Sequence, residues 1–207
     1  MCPSGRKHEQ VLSIDDDGRT RLELCVRSLS PSGARSRQDA VLSRLSEFAE
    51  RGTIADYDVR VWGTGIRPAS PTARTEPGRA VLNRLSAFED WAQRNEVNLD
   101  DAFRTSQADS TITGERHVER SFPVLTLAEF AGSDLRCVAP CWDADTAYSV
   151  EDCLDAIENG RTLTEEGRST PVPVGEEYRE ATDASPDRDA GRSERSNPSA
   201  APSPAGE

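Results

Sequence analysis

The hydrophobic period of this chain switches repeatedly between 2 and 3.6 residues across positions 21–160, and this switching constrains the fold more than any other feature. The successive segments are typical of a strand, a helix, a strand, a helix, two strands and a closing helix. A strand, an amphipathic helix and a strand at this spacing predict a right-handed βαβ unit with a parallel strand pair. We therefore expect an α/β domain of the order βαβ, α, ββα, built on a four-stranded mixed sheet.

The three predicted helices carry capping signals at their first turns. Ser36 followed by Asp39 resembles a capping box and predicts the start of the first helix. Thr75 is expected to cap the second helix, because its hydroxyl can accept a hydrogen bond from a backbone N–H of the first turn. Ser149 with Asp152 repeats the capping-box pattern and predicts the start of the third helix.

The distribution of apolar residues divides the 207-residue chain into three parts. Residues 1–19 are polar and predict a flexible leader, and residues 20–160 hold the α/β domain. Residues 161–207 are acidic and rich in Pro and Ser, with too few large apolar side chains to offset the chain entropy, so we expect a disordered tail. Residues 172–178 are the one stretch of that tail with appreciable apolar content.

The formal net charge is −12, and Lys7 is the only lysine. A heavily carboxylated, lysine-poor surface is typical of proteins that stay soluble in molar salt, so we interpret the acidity as halophilic adaptation. At molar salt the Debye length is about 3 Å, so a negative net charge does not exclude binding to nucleic acid. No secretory signal and no apolar run of membrane-spanning length is present, which predicts a cytoplasmic protein without a membrane partner.

The five cysteines do not form the pattern of a secreted disulfide framework. Cys137 and Cys141 would lie about 13 Å apart on one extended strand, too far for a disulfide or a shared metal unless the chain bends at Pro140. Cys25 and Cys153 are interpreted as core residues. His8 and His117 have no Cys or His at ligand spacing, so the sequence predicts neither a metal site nor a cofactor.

The residues around Phe122-Pro123 resemble the second half of the thioredoxin-like fold. Residues 120–127 are followed by a glycine-containing hairpin, a strand and an amphipathic helix, and Pro123 takes the position at which that fold has a cis-proline. The thioredoxin-like enzymes place a reactive cysteine at the start of the first helix. Residues 29–36 contain no cysteine, so the resemblance implies a redox-inactive scaffold and predicts no catalytic residue.

On such a scaffold, the start of the first helix would form an anion-binding site. Ser32, Arg35, Ser36 and Arg37 would lie there beside Pro123 and would combine hydroxyls, guanidinium groups and unpaired backbone N–H donors. These groups suit a carboxylate or a phosphate. The alternative interpretation is a solvated helix terminus whose arginines neutralise acidic residues of the surface.

The chain also resembles a family of small acidic haloarchaeal proteins, some of which are labelled helix-turn-helix proteins. The resemblance is carried by residues 24–28, 61–63, 110–115 and 138–140. The label is explained by residues 40–54, which resemble one helix of a winged helix. A helix-turn-helix needs two consecutive helices, whereas the flanks of this segment alternate with the period of strands.

From these patterns we expect a non-catalytic binding or regulatory module on a redox-inactive thioredoxin-like scaffold, with a protein or a small anionic ligand as its partner. A nucleic-acid-binding transcriptional regulator is the main alternative, supported by the arginines at positions 35, 37, 44 and 51 of the first helix. The second alternative is an enzyme, for which the sequence offers no activated nucleophile or acid and base pair.

Overall fold

The computed structural model describes residues 20–29, 33–109, 116–144, 146–161 and 172–174. The predicted leader lies outside these residues, as does most of the predicted tail. The α-helices are α1 (Arg35–Glu50), α2 (Glu76–Arg94) and α3 (Val150–Glu158), and a short 3₁₀ helix covers Thr72–Arg74. The strands are β1 (Thr20–Val26), β2 (Asp56–Val61), β3 (Gly65–Ile66), β4 (Thr105–Asp109), β5 (Arg116–Ser121), β6 (Leu125–Ala131), β7 (Asp134–Ala139), β8 (Cys141–Asp143), β9 (Thr146–Tyr148) and β10 (Val172–Pro173).

The main sheet is mixed and has the strand order β10-β7-β6-β1-β2. β1 and β2 are parallel, as the predicted βαβ unit requires, whereas β6 is antiparallel to both β1 and β7. The prediction of a mixed α/β domain is therefore confirmed. The predicted count of four strands was too low, because Val172 and Pro173 of the predicted tail pair with β7 at the edge of the sheet.

Helices cover both faces of this sheet. Successive side chains of a strand point to opposite faces, so Leu22 and Glu23 of β1 identify the two sides. Glu23 bonds to Arg84 of α2, which places α2 on one face. Leu22 lies opposite Glu129 of β6, on the face against which α3 packs, and α1 contacts α3.

A second sheet of order β3-β5-β4 sits beside α2. Four aromatic rings join this sheet and α2 to the end of β2, and the closest pair is Trp62 stacked on Phe122 with ring centroids 4.6 Å apart. Phe88 of α2 and Phe103 before β4 complete the cluster with edge-on contacts. β4 was missed from the sequence, because its residues are polar and show no apolar alternation.

Two of the three predicted caps are confirmed. Thr75 accepts a hydrogen bond from the backbone N–H of Gly78, and Ser149 forms the reciprocal capping box with Asp152. The capping box at Ser36 was wrong. α1 begins at Arg35, one residue earlier, and its N-cap residue makes no side-chain hydrogen bond, so Ser36 lies inside the first turn.

The peptide bond that is cis within the described residues is Ala139–Pro140. The bond before Pro123 is trans, which differs from the cis-proline that the thioredoxin resemblance implies at this position. None of the described helices has the length and apolar character needed to cross a lipid bilayer.

Candidate functional site

The residues predicted to bind an anion are not brought to one point by the described structure. Ser32 lies outside the described residues. Ser36 is exposed on the first turn of α1, and Pro123 is half-buried between β5 and β6. Pro123 lies beside the end of β1, where Arg27 donates its backbone N–H to the carbonyl of Val124 at 3.2 Å.

The two arginines of the predicted anion site face different carboxylates. Nε of Arg35 lies 3.9 Å from Asp39, one turn along the same helix. Arg37 donates from Nε and Nη2 to both carboxylate oxygens of Glu151 in α3, at 2.6 and 2.7 Å. This pairing lowers the pKa of Glu151 and raises the pKa of Arg37. Anion binding at these residues stays a prediction.

The remaining arginines of α1 also pair with α3. Nη2 of Arg44 lies 2.7 Å from Asp155 and 3.0 Å from Glu158, and Arg51 reaches Glu158 at 3.3 Å. Of the four arginines that support the nucleic-acid alternative in the sequence, Arg37, Arg44 and Arg51 are therefore neutralised by acidic residues of α3. These arginines join two helices on one face of the sheet.

A different pair of arginines lies at the start of α2. Arg74 ends the 3₁₀ helix, Thr75 caps α2, and Arg79 follows in the first turn of α2. Both arginines are exposed, and Nη1 of Arg79 donates to the carbonyl of Arg74 at 3.1 Å. They flank the positive end of the helix dipole, and Glu76 in the same turn supplies a negative charge between them. The sequence analysis missed this pair, although both arginines stand next to the predicted cap.

Gly78 permits the close approach of the 3₁₀ helix to α2. A Cβ atom at this position would lie 2.1 Å from the carbonyl oxygen of Thr72 and 2.7 Å from the Cα of Ala73. Both atoms belong to the backbone and cannot rotate away. In the described part of the chain, this is the one place where a helical segment is followed directly by another, joined here by Thr75 alone.

Further arginines surround the second sheet, next to α2. Arg67 follows β3 and pairs with Glu119 of β5 at 3.3 Å, while Arg120 of β5 pairs with Glu89 of α2. Arg104 is exposed just before β4. Positive groups are thus present on both the helix and the sheet of this region.

A buried ionic network fixes the position of α2. Glu23 of β1 is fully buried and accepts hydrogen bonds from Arg84 at 2.8 and 3.2 Å and from Arg60 of β2 at 2.9 Å. Cys25 lies beside it, and burial together with the negative charge of Glu23 raises the pKa of this thiol. Burial likewise raises the pKa of Cys141. Both thiols are held protonated, which disfavours them as nucleophiles.

The sequence distributes its charge unevenly around these elements. Residues 20–121 contain 15 arginines and 15 acidic residues, whereas residues 122–207 contain 7 arginines and 18 acidic residues. The net charge of −12 therefore comes almost entirely from the second segment. The segment that contains α1, α2 and the second sheet is electrically balanced, so it repels a polyanion less than the net charge indicates.

The chain matches a family model over most of its length. Residues 15–162, about seven tenths of the chain, match the model of a family described as helix-turn-helix domain. Searches of the curated proteins and of the solved structures return no significant match.

This match corrects the main functional interpretation drawn from the sequence, a non-catalytic binding module on a redox-inactive thioredoxin-like scaffold. It favours the alternative, a nucleic-acid-binding regulator. In the sequence, the strand-like segments on either side of residues 40–54 argued against that alternative, because a helix-turn-helix needs two consecutive helices. The family match extends over those strands as well as over all three α-helices, so the presence of strands is no argument against membership.

Proposed function

We propose, because the chain belongs to the helix-turn-helix domain family, that it is a nucleic-acid-binding regulator. The family match over residues 15–162 is the observation that carries this proposal. Nucleic acid then takes the place of the protein or small anionic ligand that the sequence analysis favoured as the partner.

The start of α2 is the proposed contact with the nucleic-acid backbone. Arg74 and Arg79 are exposed there, and a guanidinium group can form paired hydrogen bonds with phosphate oxygens. The arginines of α1 are less available, because α3 or a neighbouring turn of α1 supplies each of them with a carboxylate. Binding at α1 would require the loss of those ion pairs, whereas binding at Arg74 and Arg79 would not.

The exposed face of α2 supplies groups suited to base edges. Ser86 and Gln93 are exposed and follow Arg79 at intervals of seven residues, so the three side chains lie on one stripe. Arginine and glutamine side chains form paired hydrogen bonds with guanine and adenine in the major groove. The opposite face of α2 is held against the main sheet by Arg84, which keeps this stripe directed away from the core.

The proposal is tested by affinity capture of the tagged full chain from a halophile lysate in molar KCl, with and without nuclease. We expect recovery of a reproducible set of DNA or RNA fragments, and nuclease should abolish it. Recovery of a stoichiometric protein partner in both conditions, without any enriched nucleic acid, would contradict the proposal.

Three further features of the protein are proposed along with this function: a thioredoxin-like fold, halophilic adaptation and a cytoplasmic location. The thioredoxin-like arrangement is supported by the parallel β1 and β2 and by the antiparallel β6 and β7 that follow in the sheet, and an experimental structure would test it. Halophilic adaptation and a cytoplasmic location are supported by the acidic, lysine-poor composition. A melting temperature that does not rise from dilute buffer to molar KCl would contradict the halophilic adaptation.

A further inference from the structure

Three side chains that can bind a metal, one glutamate and two cysteines, converge on the face of the main sheet that α1 and α3 cover. Glu129 lies in β6, Cys137 in β7 and Cys153 in α3, and one ligand atom from each lies within 4.8 Å of the other two. Glu129 and Cys137 are direct partners across the two strands, so the sheet register sets them side by side. The packing of α3 on β6 brings Cys153 to the same point.

This cluster is buried, and its carboxylate is incompletely bonded. Glu129 is 2 % exposed, and both cysteines are 0 % exposed. Oε2 of Glu129 has no hydrogen-bond partner among the described residues. Burial raises the pKa of Glu129 to about 7, although the positive charge of Arg136 acts in the opposite direction. An unbonded carboxylate oxygen in the core is costly unless a cation or a donor faces it.

We propose that Glu129, Cys137 and Cys153 bind Zn²⁺ as three of its four ligands, with a water molecule in the fourth position. Zinc accepts thiolate sulfur at about 2.3 Å and carboxylate oxygen at about 2.0–2.2 Å, which places the donor atoms of a tetrahedral site roughly 3.5–4 Å apart. The cluster needs only small side-chain adjustments to reach that spacing. Two thiolates disfavour the hard cations Mg²⁺ and Ca²⁺, which select oxygen ligands.

The charges of the site balance when zinc is bound. Two thiolates and one carboxylate carry three negative charges, and Zn²⁺ together with the guanidinium of Arg136 compensates them. Zinc binds the deprotonated forms of cysteine and glutamate, so its affinity for such a site depends on pH. Oε2 of Glu129, which has no hydrogen-bond partner among the described residues, would gain a bond to the metal.

A zinc ion here would fasten α3 to the sheet. Its ligands come from β6, β7 and α3, and this part of the fold also anchors the arginines of α1 through Glu151 and Glu158. Because the ligands are closed off from solvent, the metal would enter as the chain folds. Its binding energy would then contribute to folding.

The first test uses the full chain with Cys2→Ser, which removes a thiol outside the cluster. The protein is refolded with one equivalent of Co²⁺, a spectroscopic substitute for Zn²⁺, and its absorption is recorded. We expect a near-ultraviolet band from thiolate-to-cobalt charge transfer, together with visible bands of a tetrahedral site. The absence of the charge-transfer band would overturn the proposal.

Matched variants locate the ligands. Glu129→Gln and Cys153→Ala should lose stoichiometric Zn²⁺ by mass spectrometry of the purified protein, whereas Cys25→Ala should retain it, because Cys25 is a buried thiol on the other face of the sheet. Zinc content equal to that of the parent protein in both cluster variants would overturn the proposal. Should those variants fail to fold, X-ray absorption of the zinc-loaded parent must show two sulfur ligands, and fewer sulfurs would overturn it.

Discussion

Arg84 donates two hydrogen bonds to the carboxylate of Glu23, from Nε at 2.8 Å and from Nη2 at 3.2 Å, with the side chains 4 % and 0 % exposed. Arg60 adds a third donor at 2.9 Å. These bonds connect α2 to the two parallel strands of the main sheet. The orientation of the proposed recognition helix therefore depends on an ion pair in the core.

Replacement of Arg84 by Met is expected to destabilise the protein strongly. The substitution preserves the volume approximately but leaves Glu23 buried without the two hydrogen bonds that Arg84 donates, and the loss of one partner of a buried pair costs about 3–5 kcal/mol. The free energy of unfolding from urea titration measures the effect. Asp58→Asn is the control, because Asp58 is partly exposed, pairs with Arg21 at 3.4 Å and reaches Arg60 only at 4.0 Å. This substitution should cost less than about 1 kcal/mol. Equal decreases in the free energy of unfolding of the two variants would contradict the role of the Arg84–Glu23 pair in the core.

The second prediction concerns the helix caps, of which those at Thr75 and Ser149 form and the one at Ser36 does not. Thr75→Ala and Ser149→Ala remove hydroxyls that bond to backbone N–H groups of Gly78 and Asp152, and each should lower the free energy of unfolding by about 0.5–2 kcal/mol. Ser36→Ala should have almost no effect, because Ser36 lies within α1. Thermal unfolding of the three variants and the parent protein measures these changes in the free energy of unfolding. A loss at Ser36 as large as that at Thr75 would contradict this description.

Gly78→Ala is the third prediction. Alanine favours a helix interior over glycine by about 1 kcal/mol, so propensity alone predicts stabilisation. The added Cβ would meet the carbonyl oxygen of Thr72 at 2.1 Å, and we expect a net destabilisation of at least about 1 kcal/mol. Ser86→Ala, on the exposed face of α2, serves as the control and should be neutral or stabilising in urea titration. A stabilising Gly78→Ala would show that the 3₁₀ helix is not packed as described.

The fourth prediction concerns the arginines at the start of α2. If both contact phosphates, Arg74→Gln with Arg79→Gln should weaken nucleic-acid binding and reduce the magnitude of the slope of log K against log salt by about 2. Fluorescence anisotropy with fragments from the affinity capture measures this slope over a KCl series.

The control for this experiment removes the same charge from the two ends of α1, at its first residue and at its C-cap. Arg35 and Arg51 have side chains 74 % and 53 % exposed, so Arg35→Gln with Arg51→Gln should fold normally. We expect this variant to keep the slope of the parent protein. Equal losses in both double variants would mean that binding follows net charge instead of the surface at the start of α2.

Local signals in the sequence determined most of the secondary structure. Backbone hydrogen bonds repeat with a fixed period, so an apolar stripe or an alternating segment identifies a helix or a strand without knowledge of its neighbours. The caps at Thr75 and Ser149 were predictable for the same reason, because donor and acceptor lie within three residues. Ser36 with Asp39 carries the same local pattern, but the N-cap of α1 is Ala34, so Ser36 lies inside the helix.

Only the tertiary structure decided which distant groups meet. Arg37, Arg44 and Arg51 pair with α3 carboxylates more than 100 positions away. These contacts neutralise arginines that support nucleic-acid binding in the sequence. Glu129, Cys137 and Cys153 come together because strand register and helix packing set their separation. Such contacts leave no local period in the sequence, since they depend on the order of strands in the sheet and on which face each helix covers.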